Sequence, residues 1–73
     1  MVHHVYSVVA TGGGWAVRHL EKQLAVHPTR AEAEAHVERL ARLTQVSGHD
    51  AEVIVEGSGG QVESDDLYRR IKT

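Results

Sequence analysis

Cysteine and phenylalanine are absent from this 73-residue chain, proline occurs once, and one tryptophan and two tyrosines supply all the benzenoid aromatics. Without cysteine there is neither a disulfide framework nor a thiolate metal site, the two common staples for a domain this small. Few aromatics mean a thin core. A chain of this length holds one domain and removes only about 60% of its unfolded surface from water, so self-association would add useful burial. No run of about 20 apolar residues is present to cross a membrane. A net charge of −2 gives no global attraction to nucleic acid or to an anionic membrane. The start, Met1-Val2-His3-His4-Val5, has no basic leader, and histidines break its apolar run. The expectation is therefore a soluble cytoplasmic protein without a signal peptide.

What is present is first a valine-rich run, Val2 to Ala10, and an alternating run, Trp15 to Leu20, joined by Thr11-Gly12-Gly13-Gly14. This pattern predicts a β-hairpin. With Gly12 and Gly13 at the turn, at positive φ, Thr11 opposes Gly14, Ala10 faces Trp15, Val8 faces Val17 and Tyr6 faces His19. The other face then carries the pairs Val9/Ala16, Ser7/Arg18 and Val5/Leu20. The first face is the more aromatic and is assigned to the core.

After a polar crossing at Glu21-Lys22-Gln23, the stretch Leu24 to Pro28 leads into a helix start, where Thr29 and Glu32 match the S/T-x-x-E capping box. Ala33, Val37, Leu40, Ala41 and Thr44 form one helical stripe, which Leu43 widens. Glu38 and Arg42 pair at i,i+4, and Gly48 fits the residue just beyond the helix end. Ala51 to Glu56 and Gln61 to Glu63 then read as a second hairpin about Gly57-Ser58-Gly59-Gly60, with Ser58-Gly59 at the turn. In that register Val55 faces Val62, Val53 faces Ser64 and Ile54 faces Glu63. Residues 64–73 read either as a short helix capped by Ser64 or as a loose extension. The fold class is thus α+β, a two-layer β-β-α-β-β arrangement with a four-stranded antiparallel sheet and one helix on one face, in a single domain over 1–63 with a tail over 64–73.

Chemistry-bearing patterns are weak. Trp15 beside glycines could stack on a base or sugar, but a single large aromatic at a strand start more often closes one end of a small core. Six histidines invite a metal or pH-switch reading. Against it, His3 and His4 point to opposite faces of a strand, and His36 has Glu32 and Leu40, not a second histidine, as its helical neighbours. Tyr6 opposite His19 reads as a packing pair. The glycine stretches fit hairpin turns rather than phosphate loops. Ser47, His49 and Asp50 supply triad residue types with no nucleophile-elbow context, and Glu63, Asp65 and Asp66 read as a solvated acidic cluster. No catalytic residue, metal ligand or cofactor is assigned.

The order of these elements resembles a family of short bacterial proteins known only as a domain of unknown function. The residues that carry the resemblance are Val8-Val9, Gly13-Gly14-Trp15-Ala16-Val17, Thr29-Arg30-Ala31-Glu32-Ala33, Ala41, Val53-Ile54-Val55 and Gly60-Gln61-Val62. They cover Tyr6 to Val62; the histidines near the start and the tail beyond Glu63 depart from the pattern. The resemblance implies no activity, cofactor or catalytic residue.

One sheet face would have no layer over it. Val5, Val9, Ala16, Leu20 and Ile54 are expected there, which points to a non-catalytic homodimeric interaction module whose partner is a second copy of itself. The alternative is a nucleic-acid-binding accessory protein using Arg18 and the basic tail residues Arg69, Arg70 and Lys72, opposed by Glu52, Glu56 and Glu63 if these share the outer face.

Overall fold

Alternation of apolar and polar residues builds the sheet, and an alanine-rich amphipathic helix builds the layer above it. The computed structural model describes residues 3–57 and 59–71. Met1, Val2, Ser58, Lys72 and Thr73 lie outside the described residues, and with them the expected Ser58-Gly59 turn and the Lys72 contact. Strands β1 (His3–Thr11), β2 (Gly14–His19) and β3 (Lys22–His27) precede helix α1 (Arg30–Val46), and β4 (Asp50–Glu56) and β5 (Val62–Tyr68) follow it. The five strands lie in the order β3-β2-β1-β4-β5. β1 pairs with β4 in parallel, and the other pairings are antiparallel.

The expected four-stranded antiparallel sheet is therefore corrected to a five-stranded mixed one, and a single omission explains both errors. The end of the polar crossing and most of the stretch leading into the helix together form β3, which pairs Val26 with Ala16 and Ala25 with Val17. Leu20, at φ 58, sits in the turn that makes this possible. With a third strand the chain enters α1 at the same end as the finish of β1. Seventeen helical residues then carry it back about 25 Å at 1.5 Å per residue, so β4 must start beside the start of β1 and run parallel to it.

The first hairpin has the expected register, from Tyr6 opposite His19 to Thr11 opposite Gly14. The positive φ falls on Gly14 (+144) rather than on Gly12 or Gly13. A Cβ at Gly14 would collide with the His27 carbonyl oxygen, whereas at Gly12 and Gly13 it would meet open space. Close approach of β3, not the turn alone, is what requires glycine there.

The second hairpin departs from expectation. Val55 faces Ser64, Val53 faces Asp66 and Ile54 faces Asp65, with a bulge between Val55 and Glu56. A wider loop closed by Gly57 N–H to the Gln61 carbonyl (2.8 Å) and Gly60 N–H to the Gly57 carbonyl (2.9 Å) replaces the tight turn and shifts the register. Val62 is left exposed, and Ser64 to Tyr68 belong to a strand rather than to a tail helix.

Helix α1 starts as the capping box predicts, with the Thr29 hydroxyl accepting the Glu32 N–H at 3.2 Å. It ends in a Schellman motif: Gly48 (φ +90) donates to the Gln45 carbonyl and His49 donates to that of Thr44. Ala33, Val37, Ala41 and Thr44 are buried and Leu40 packs partly against the core, but Leu43 is exposed. Tyr6, Val8, Val17, Ala51, Val53 and Val55 complete the core beneath the helix, with Trp15 and Tyr68 partly buried at its margin. The Arg30 guanidinium lies 5.7 Å from the Trp15 ring and pairs with Glu34 and Glu63, so this indole closes the core and is capped by a cation.

Candidate functional site

Five of the six histidines meet on the helix side of the sheet, in two separate groups. His4 lies two residues before Tyr6 on the inward face of β1, which makes it a diagonal neighbour of His19 on β2. Their rings stack with centroids 5.1 Å apart, and one ring nitrogen donates to the other across 2.9 Å between His4 Nδ1 and His19 Nε2. Tyr6 extends the stack, 4.8 Å from His19 and 6.3 Å from His4. Its hydroxyl bonds Thr44 Oγ1 at 2.8 Å, and Thr44 donates in turn to the Leu40 carbonyl at 2.9 Å. The stack is thereby tied to α1.

His49 is delivered by the Schellman turn and meets His4 edge-on at 5.6 Å, its Nδ1 buried without a hydrogen-bond partner. With His4, Tyr6, Leu40, Leu43, Thr44 and Ser47 it lines a shallow groove of about 260 Å³. Burial, and then the neighbouring rings of His19, His49 and His3, hold His4 below the usual imidazole range.

The second group joins the edge strand to the helix. His27 Nε2 and His36 Nδ1 are 2.9 Å apart with the rings edge to face, in a groove that also contains Glu32, Ala35 and Arg39. His36 is likewise held low, by burial first and then by His27 and Arg39. The helical neighbours of His36 carry no sign of this partner, which lies nine residues back on another element. For His4 a signal was available, because the register that pairs Tyr6 with His19 already makes His4 a diagonal neighbour. Among the described residues, no group of three or more histidine or acidic side chains is arranged to hold a metal ion.

The opposite sheet face presents Val5, Val9, Ala16 and Ile54, each alternating with a core residue. Ala16 is only 1% exposed although it lies outside the core cluster, because Val9 and Val26 flank it on the neighbouring strands. Val5, Val9 and Ile54 are partly exposed, whereas Val26 and Leu67 are 46% and 51% exposed. Leu20 lies in the turn after β2 and is 65% exposed, although its N–H still bonds the Val5 carbonyl at 3.1 Å.

Charge on this face is divided. Arg18 on β2 donates to the Glu21 carbonyl at 3.1 Å. On β4, Glu52 hydrogen-bonds Asp65, which with burial and charge repulsion pushes its carboxyl above the usual range, while His3 at 3.4 Å pulls the other way.

Arg69 and Arg70 follow β5, three strand spacings across the sheet from Arg18 on β2, about 14 Å at 4.8 Å per strand, and at least four residues further along the strand direction, about 13 Å at 3.3 Å per residue. The Arg70 N–H is bound to Asp50 Oδ1 at 2.8 Å, and the Arg69 carbonyl accepts from Gln45 at 2.8 Å. Asp50 is thus committed to the chain end rather than to His49, and Glu63 of the acidic cluster pairs with Arg30.

No helix among the described residues is long and apolar enough to cross a membrane. No curated protein and no solved structure matches this chain. The sequence profile of an uncharacterized protein family conserved in bacteria, DUF2188, matches residues 4–68, which takes in His4 and the whole of β5, and the chain belongs to that family.

Proposed function

We propose that this protein is a small homodimeric interaction module, without a catalytic role, in which two copies meet through the sheet face turned away from α1. The observation that carries this reading is the diagonal of Val26, Val9, Ile54 and Leu67 across that face, left without a covering layer because the one helix among the described residues lies on the other side. Five strands at about 4.8 Å and six residues at about 3.3 Å give a face of roughly 500 Å² in projection, close to the 600 Å² per partner at the low end of specific interfaces. The divided charge supports a second copy as the occupant. A twofold axis running along the strands sets the Arg18 side of one copy over the Glu52 and Asp65 side of the other.

Sedimentation velocity from low to high micromolar concentration tests it. The expected result is a mass that doubles with concentration, and an Ile54→Asp chain that stays folded and monomeric. A wild-type monomer at every concentration rejects the reading. Nucleic-acid binding through Arg18, Arg69 and Arg70 is the rival; it requires salt-dependent retention of DNA or RNA that weakens when both tail arginines become alanine.

A further inference from the structure

The carboxylate-free surroundings of the first histidine group carry a consequence independent of the dimer. A histidine–histidine hydrogen bond needs one N–H and one lone pair, so it survives with no added proton or with one, and not with two. Around His4 and His19 the facing groups are neutral or basic. β1 contributes Tyr6 and, on its other face, His3 engaged with Glu52; the turn before β4 contributes His49; and Lys22 on β3 stands opposite His19. α1 contributes Leu40, Leu43, Thr44 and Ser47, none of them charged. The acids close by in the chain lie off this face: Asp50 stands opposite His3 rather than His4 and accepts the Arg70 N–H, and Glu21 is exposed in the turn beyond His19. The His27–His36 pair stands apart from this corner, in a groove with Glu32, Ala35 and Arg39 that includes neither Tyr6 nor Thr44.

We propose that His4, His19 and His49 form an acid-sensitive latch: a second proton on the stacked pair breaks the His4–His19 hydrogen bond and frees the corner where β1, β2 and the entry to β4 meet beneath the end of α1. The Tyr6–Thr44 bond couples that corner to the helix, so opening uncovers the Tyr6 ring and the Leu40–Leu43 wall of the groove. The switch moves surface already present rather than unfolding the domain, because Val8, Val17 and Val37 lie outside the stack.

Imidazole and amide NMR of the full chain from pH 8 to pH 4.5 tests the latch. The expected result is loss of amide protection at Tyr6, His19 and His49 as the pair takes its second proton, with local opening rising about tenfold per pH unit below that step, while Val37 stays protected. His19→Gln, which keeps a hydrogen-bonding side chain that does not titrate, abolishes the response, and His36→Gln leaves it intact. Should His19→Gln not fold, His4→Gln serves the same purpose. Two protons on the pair without loss of protection, or an unchanged response in either glutamine variant of the pair, overturns the proposal.

Discussion

The two faces of one sheet are built from the same residue types and have opposite fates. Toward α1, Tyr6, Val8, Val17, Val53 and Val55 are buried to 8% exposure or less. Away from it, Val26 and Leu67 keep about half of their surface in water, and Val9 and Ile54 keep a smaller part of theirs. Valine content does not separate the faces; the covering layer does. The difference also extends to charge. The inner face holds its polar groups in short bonds, Tyr6 to Thr44 and His4 to His19, whereas the outer face leaves two carboxyls, Glu52 and Asp65, side by side. A surface that concentrates both apolar area and unrelieved charge is the one a partner would most relieve.

The contrast breaks most visibly with one charge on each face. Val17→Asp places a carboxylate where exposure is 0% and should cost more than about 4 kcal/mol, abolishing the folded circular dichroism spectrum. Ile54→Asp should cost the monomer only about 1 kcal/mol in urea unfolding, with its main effect on association. Comparable unfolding by both would show that the outer face is as necessary to the fold as the inner one.

Next in size is Gly14→Ala, which forces a Cβ against the His27 carbonyl at positive φ and should destabilise by about 1 to 3 kcal/mol. Gly12→Ala, in open space, should be near neutral. The pair of thermal melts tests whether backbone approach, rather than side-chain burial, holds β3 and therefore Val26 in place on the outer face.

Smallest is the effect of removing the carboxyl pair. Glu52→Gln should raise stability near neutral pH by about 0.5 kcal/mol or less, read from urea midpoints. The sign follows from the direction of the shift: a raised carboxyl favours the fold when protonated, and that contribution fades as pH rises past its folded value. The inner face has the opposite dependence. His4 and His36 are held below the ordinary imidazole value of 6.5, so their contribution is complete above that pH and is lost as pH falls from 6.5 toward their folded values. Because the two dependences oppose each other as pH falls, Glu52→Gln should leave the histidine-linked loss of stability on the acid side in place and slightly larger.

Much of this architecture was legible in the chain. Gly-Gly-Trp set the first hairpin register, Thr29 and Glu32 set the helix start, and Gly48 set its end, because each acts through a few covalently adjacent atoms. β3 was not legible. As an edge strand it has only Ala25 and His27 partly buried and begins in Lys22-Gln23, the polar composition that protects sheet edges. The second hairpin slipped because a bulge and a wide loop leave no mark in a period-two pattern. Of the candidate outer face, Val5, Val9, Ala16 and Ile54 followed from alternation alone, whereas Leu20 left the strand at a positive φ that its sequence does not announce.

The histidines divide the two kinds of information most clearly. Sequence alone determined that His3 and His4 point to opposite faces and that His36 lies on a helix beside Glu32, since local periodicity fixes direction. Only the tertiary structure decided that His4 meets His19 and His49, and that His36 meets His27. Those encounters depend on how strands pair and where the helix crosses them, and such long-range closure is set by the total burial of the fold rather than by any neighbouring residue.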